Sequence, residues 1–108
     1  MALSMIQFSY KSDNVVKLLK NPEDRSTAVK QLIEKLGGKL LAFYYSYGEY
    51  DGLLIVDMPD HTSGLAAAMA SFASGGTSRI KTTILISVDE AMVAMKEASG
   101  LKLEQPKG

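Results

Sequence analysis

The sequence predicts one α+β domain whose elements run β-α-β-β-α-β, with an extra helix at its C-terminal end. Three observations carry this reading. Apolar runs of strand length recur at residues 3–10, 39–47, 50–58 and 79–88. Between the first and second runs, and again between the third and fourth, apolar residues recur at helical spacing behind cap and breaker residues. Only Gly48-Glu49 separates the second run from the third, which is close enough for a hairpin. This order is the split β-α-β, or ferredoxin-like, arrangement, an antiparallel four-stranded sheet with both helices on one face.

Taken in order, residues 3–10 mix Met5, Ile6, Phe8 and Tyr10 with Ser4, Gln7 and Ser9 in near-alternation. Val15, Val16, Leu18 and Leu19 predict one or two helical turns, with Asp13 as the cap. Asn21-Pro22-Glu23-Asp24 predicts the start of the first long helix. Asparagine suits the cap, proline tolerates the first helical position, and carboxylates favour the positive end of the dipole. Val29, Leu32, Ile33 and Leu36 form its apolar stripe, and Gly37-Gly38 stops it. Pro59-Asp60-His61-Thr62 opens a second helix with the stripe Leu65, Ala68, Met69 and Phe72. After the flexible connection Ser74-Gly75-Gly76-Thr77-Ser78, the fourth strand alternates. Ile80, Thr82, Ile84, Ile86 and Val88 face one way; Arg79, Lys81, Thr83, Leu85 and Ser87 face the other. Asp89-Glu90 begins the last helix, which carries Met92 and Met95. The expected domain is 1–99, with 100–108 a polar tail that frays.

Composition removes several classes of function. Twelve basic residues balance twelve acidic ones, so no global field draws in nucleic acid or an anionic membrane. The absence of cysteine removes disulfides and thiolate ligands and suggests a cytoplasmic setting. Met1-Ala2-Leu3-Ser4 shows no signal-peptide pattern, and no apolar stretch approaches the ~18 residues that span a bilayer. With a single histidine, a zinc site would rest on carboxylates around one imidazole, so no metal is expected. No motif points to a cofactor: the glycines at 75 and 76 lack the lysine and spacing of a phosphate-binding loop. RNA binding is disfavoured by the zero net charge and by the apolar centre of the third run, Leu53-Leu54-Ile55-Val56.

The second and third strands are apolar at both parities. Leu41 and Phe43 match Leu40 and Ala42, and Leu53 and Ile55 match Leu54 and Val56. A sheet with one wet face should alternate instead. The face opposite the helices therefore needs cover, and a second copy of the chain is the expected cover. A homodimer or higher homo-oligomer follows.

The densest polar-aromatic cluster runs from Phe43 to Gly52. Together with Glu34-Lys35-Leu36-Gly37-Gly38-Lys39, the strings Phe43-Tyr44 and Gly48-Glu49-Tyr50-Asp51 resemble the GYD domain family, as does the pair Thr82-Thr83. Gly48, Tyr50 and Asp51 match the residues that name that family. The resemblance implies a ferredoxin-like domain of the dimeric α/β barrel group and no particular reaction.

Gly48 is expected to supply a positive φ in the hairpin turn. Tyr50 offers an apolar ring with a polar tip, suited to a pocket wall or an interface. Asp51 shares parity with Leu53 and Ile55, and a partly buried carboxylate there needs donors or a raised pKa. Either would suit a general base or a structural network. Arg79, Lys81 and Thr83 share one face of the fourth strand and are candidate donors to it or to an anionic ligand. The candidate binding set is Tyr44, Tyr50, Asp51, Arg79 and Thr83, lining a pocket for a small apolar or aromatic molecule between sheet and partner. Asp51 and His61 are the candidate catalytic bases. Three readings stay open: a small-molecule-binding or regulatory dimer without catalysis, a cofactor-independent oxygenase or isomerase, and a structural assembly module.

Overall fold

The computed structural model describes residues 2–108. The elements are β1 (Ala2–Tyr10), α1 (Ser12–Lys20), α2 (Arg25–Lys35), β2 (Lys39–Tyr45), β3 (Gly52–Met58), α3 (His61–Ala73), β4 (Thr77–Leu85) and α4 (Val88–Ser99). The sheet order is β2-β3-β1-β4 and every neighbouring pair is antiparallel. This is the ferredoxin-like fold with a helix added between β1 and α2 and another at the C-terminal end.

Several element ends differ from expectation. Asn21 closes α1, its amide donating to the Lys17 carbonyl, and does not cap α2. A residue before proline is pushed out of the helical region, so Asn21-Pro22 separates the helices. Asp24 caps α2 by accepting the Ser26 amide. Asp13 lies inside the first turn of α1 and caps nothing; it only complements the dipole there. Leu36 lies just past the last turn of α2, and Gly37 follows at φ 82°, the left-handed conformation that glycine accepts without strain. β4 ends at Leu85, because Ser87 caps α4 by accepting the Glu90 amide and draws Val88 into the helix. Residues 101–108 have no regular structure and are exposed.

β3 alternates between buried and half-buried positions, with Leu54, Val56 and Met58 on the helix side. They join Ile6 and Phe8 of β1, Ile33 of α2 and Ala67 of α3 in the core. A bulge in β2 between Leu40 and Ala42 leaves Leu41 unpaired and exposed. It shifts the later residues, so Phe43 packs with the core while Ala42 and Tyr44 sit opposite Ile55 and Leu53. The other face of the sheet carries Leu3, Met5, Leu53, Ile55, Thr83 and Leu85, all half-buried. Neither α2 nor α3 covers it.

The stripe expected to bury α3 points outward instead. Leu65 is 61% exposed, Met69 63% and Phe72 54%, whereas Ala67 is buried. Small side chains let α3 approach the sheet closely, and the large apolar ones are left outside.

These uncovered surfaces register in the dimensions of the chain. Its radius of gyration is 17.8 Å, against about 13 Å for a compact chain of this length. It exposes 8092 Å², where a compact monomer of 11.7 kDa exposes about 5,900 Å². The exposed residues 101–108 add to the excess, as does α4, which has no buried residue and makes no extended contact with another element.

Candidate functional site

Two features meet at the end of the sheet where β1 and β2 finish and β3 begins. The first is a polar knot around residues 46–51, a loop longer than the two-residue turn expected from sequence. Ser46 closes it, its amide donating to the Asp51 carbonyl at 2.8 Å and its hydroxyl to the Tyr50 carbonyl at 2.6 Å. The Asp51 amide donates to the Phe8 carbonyl at 2.9 Å, and its carboxylate accepts the Tyr10 amide at 2.8 Å. Arg79 reaches in from β4. Its guanidinium lies 4.5 Å from the centre of the Tyr50 ring and donates to the Glu49 carbonyl at 2.7 Å.

The second feature is a cavity of about 290 Å³ between α2, α3 and the sheet. Its walls are apolar, built from residues such as Phe8, Val29, Ile33, Phe43 and Ile80. Ala28, Ala67 and Ala70 contribute only small side chains to the lining. Polar groups ring one side: Tyr10, Asn14, Arg25, Ser71, Ser74 and Thr77. The Thr77 hydroxyl is buried without a hydrogen-bond partner among the described residues. Arg25 is half-exposed and, among the described residues, is the one formally charged group of the lining; its guanidinium also meets Glu23 at 3.0 Å. Burial, and then the hydrogen bond with the Tyr45 hydroxyl at 3.3 Å, push the Tyr10 phenol well above the usual tyrosine range. Tyr10 therefore stays protonated and able to donate.

The family model described as GYD domain matches residues 5–104, nearly the whole chain. The chain belongs to the GYD domain family. No curated protein matches it significantly. Among solved structures, a protein from Thermus thermophilus shares 17% identity over 82% of this chain and 96% of its own, with a TM-score of 0.55. A hypothetical protein from Pyrococcus horikoshii shares 18% identity over 81% of this chain and 92% of its own, with a TM-score of 0.50. A NIPSNAP-like domain protein from Burkholderia xenovorans shares 11% identity over 81% and 84%, also with a TM-score of 0.50. At these identities the likeness is one of fold.

In this GYD domain the glycine, tyrosine and aspartate of the motif all lie in the loop at 46–51. Gly48 does not have the positive φ expected of it, and a Cβ there would meet nothing within 4 Å. The longer loop removes the need for a left-handed turn. The constrained glycine at this end of the sheet is Gly52, where a Cβ would overlap the Phe8 ring. Tyr50, Asp51 and Arg79 are brought together, while Thr83 sits opposite Met5 on the open sheet face and Tyr44 opposite Leu53. His61 lies beyond the far end of β3, roughly 20 Å from Asp51 by strand rise. Asp51 is exposed rather than partly buried. None of the sequence-selected residues lines the cavity.

Asp51 thus holds the end of β1, and through it Tyr10, in place. Asp51→Ala is expected to destabilise the GYD domain by about 1 kcal/mol, seen as a fall of several degrees in melting temperature. Asp51→Asn keeps an acceptor oxygen and should retain most of that stability. Equal melting of Asp51→Ala and wild type would remove this role.

Proposed function

We propose that this GYD domain is a small-molecule-binding homodimer that works by binding rather than by catalysis. The observation that carries this reading is the helix–sheet cavity, with apolar walls and a few polar groups converging at one side. An unpartnered buried hydroxyl costs ~1–3 kcal/mol, and a ligand atom meeting Thr77 Oγ1 recovers it. The ligand chemistry that suits the lining is a small, mainly apolar or aromatic molecule with a polar end near Tyr10, Arg25 and Thr77. Asp51 then serves the site indirectly, by holding the Tyr10 backbone on its rim, while Tyr50 and Arg79 brace the neighbouring loop. Neither Asp51 nor His61 lines the cavity, so no geometry favours either as a catalytic base.

The homodimer is supported by the half-buried apolar residues of the open sheet face and by the excess of exposed area. Tyr44 and Thr83, on that face, belong to the contact between the copies.

Native mass spectrometry against the denatured mass tests both parts. A dimer carrying extra mass that is lost on denaturation supports the reading; an empty protein that also takes up no member of an apolar and aromatic ligand panel overturns the binding part. Thr77→Val should stabilise the unliganded protein by about 1 kcal/mol, since it removes the orphaned hydroxyl while keeping the volume. The same variant should bind ligand more weakly. Destabilisation on Thr77→Val would mean that the hydroxyl is already satisfied without ligand.

A further inference from the structure

We infer that α4 is an exchanged arm, which in the homodimer proposed above, and resting on that reading, lies in the groove between α3 and β4 of the second copy. Two unpartnered surfaces of one chain point to this. The first is the groove. It is lined by Ala68, Met69, Phe72 and Ala73 of α3 with Ile80 and Thr82 of β4. Ile84 and Ile86, further along, are exposed. From Thr62 to Ser78 no residue carries a charge. A helix facing water normally shows a charged or polar stripe on its outer side; α3 shows Leu65, Met69 and Phe72 there.

The second surface is the arm. Val88, Met92 and Met95 recur at i, i+4 and i+7 and are exposed, and Leu101 and Leu103 extend the apolar series. An isolated helix of this length is marginal in water, even with the Ser87 cap. It needs a surface to lie on, and its own chain offers it no extended contact. α4 has 12 residues and α3 has 13, so the arm matches the groove in length.

Area identifies the occupant. The chain exposes roughly 2,000 Å² beyond a compact monomer of its mass. A standard interface covers ~800 Å² per partner. Sheet-to-sheet contact of standard size therefore leaves more than half of the excess uncovered, and an arm seated in a groove accounts for part of the remainder, the exposed residues 101–108 contributing too. Each chain offers one arm and one groove. A two-fold exchange fills both without a third component. β4 is an edge strand, so the arm leaves from the same margin of the sheet that borders the groove. The zero net charge sets no long-range repulsion between copies.

The chain has no cysteine, so thiols can be placed at will. Full-length Met69→Cys/Met95→Cys protein, refolded as an equal mixture of isotopically heavy and light chains, is treated with a short bis-maleimide and digested. Cross-linked peptides joining position 69 of one isotope to position 95 of the other are expected. Links confined to one isotope would show the arm closing on its own groove and overturn the inference. A dimer in sedimentation with no 69–95 link overturns the arm and spares the homodimer; a monomer overturns both. Independently, Met92→Glu/Met95→Glu should raise the dimer dissociation constant at least tenfold with an unchanged far-ultraviolet spectrum. An unchanged constant would contradict the inference.

Discussion

Ile55→Glu is expected to convert the proposed dimer into a folded monomer. Ile55 sits in the middle of the open face, paired with Met5 on one side and Ala42 on the other. In the separate chain the new carboxylate stays at a half-open position and reaches water, so the fold itself should tolerate it. Between stacked sheets it is stripped of water with no cation among its paired neighbours, and the two-fold relation brings a second carboxylate towards it. An unpaired buried charge costs several kcal/mol. Taking ~4 kcal/mol, the dissociation constant rises about a thousandfold. Sedimentation velocity across a concentration series reads this directly. Dimerisation at wild-type strength would show that the sheet face is not the contact surface.

Gly52→Ala should be among the most damaging single-methyl changes in the chain. A Cβ at Gly52 would overlap the Phe8 ring and come within 3.0 Å of the Tyr44 carbonyl oxygen. Phe8 has little freedom to retreat, because it is 6% exposed and packs on the rings of Tyr10 and Phe43 at 5.1 and 5.7 Å. Overpacking of this kind costs ~1–3 kcal/mol, a large share of the margin of a small domain. Because Phe8 also lines the cavity, the ligand uptake proposed above should fall with stability. Gly48→Ala, in the named motif just upstream, meets open space and should leave the denaturation midpoint unchanged. If the two variants melt alike, Phe8 has room that this geometry denies it.

The strands were legible because burial on a pleated sheet has a period of two, and Leu54, Val56 and Met58 show it directly in β3. The hairpin and the element order follow from the same pattern. The orientation of α3 was not legible. A hydrophobic stripe locates a buried face only when the largest apolar residues are the buried ones, and here Ala67 is buried while Leu65 and Met69 are exposed. The β2 bulge escaped for a related reason: Leu40, Leu41, Ala42 and Phe43 are all apolar, so nothing in their order marks the unpaired residue.

The candidate site was only half legible. The Gly48–Asp51 string identified a place where chemistry-bearing residues converge, and Tyr50, Asp51 and Arg79 do converge there. The cavity left no motif because its lining is drawn from β1, α1, α2, β2, β3, α3 and β4, with small residues such as Ala28, Ala67 and Ala70 on two different helices. Arg25 and Thr77 belong to it only through the packing of α2 and the start of β4 against the same sheet end. Residues so far apart in sequence carry no local signature of such a meeting.

The Tyr10 side chain gives the molecule an optical consequence. The chain has five tyrosines and no tryptophan, so its ultraviolet emission comes from tyrosine alone, unmasked by energy transfer to indole. Tyr10 is the one tyrosine among the described residues that lines the cavity, and its hydroxyl is paired with that of Tyr45. A molecule entering the cavity changes the surroundings of that fluorophore while leaving Tyr47, fully in solvent, untouched. Tyrosine lifetime and acrylamide quenching therefore report occupancy without any label, with Tyr10→Phe as the silent reference.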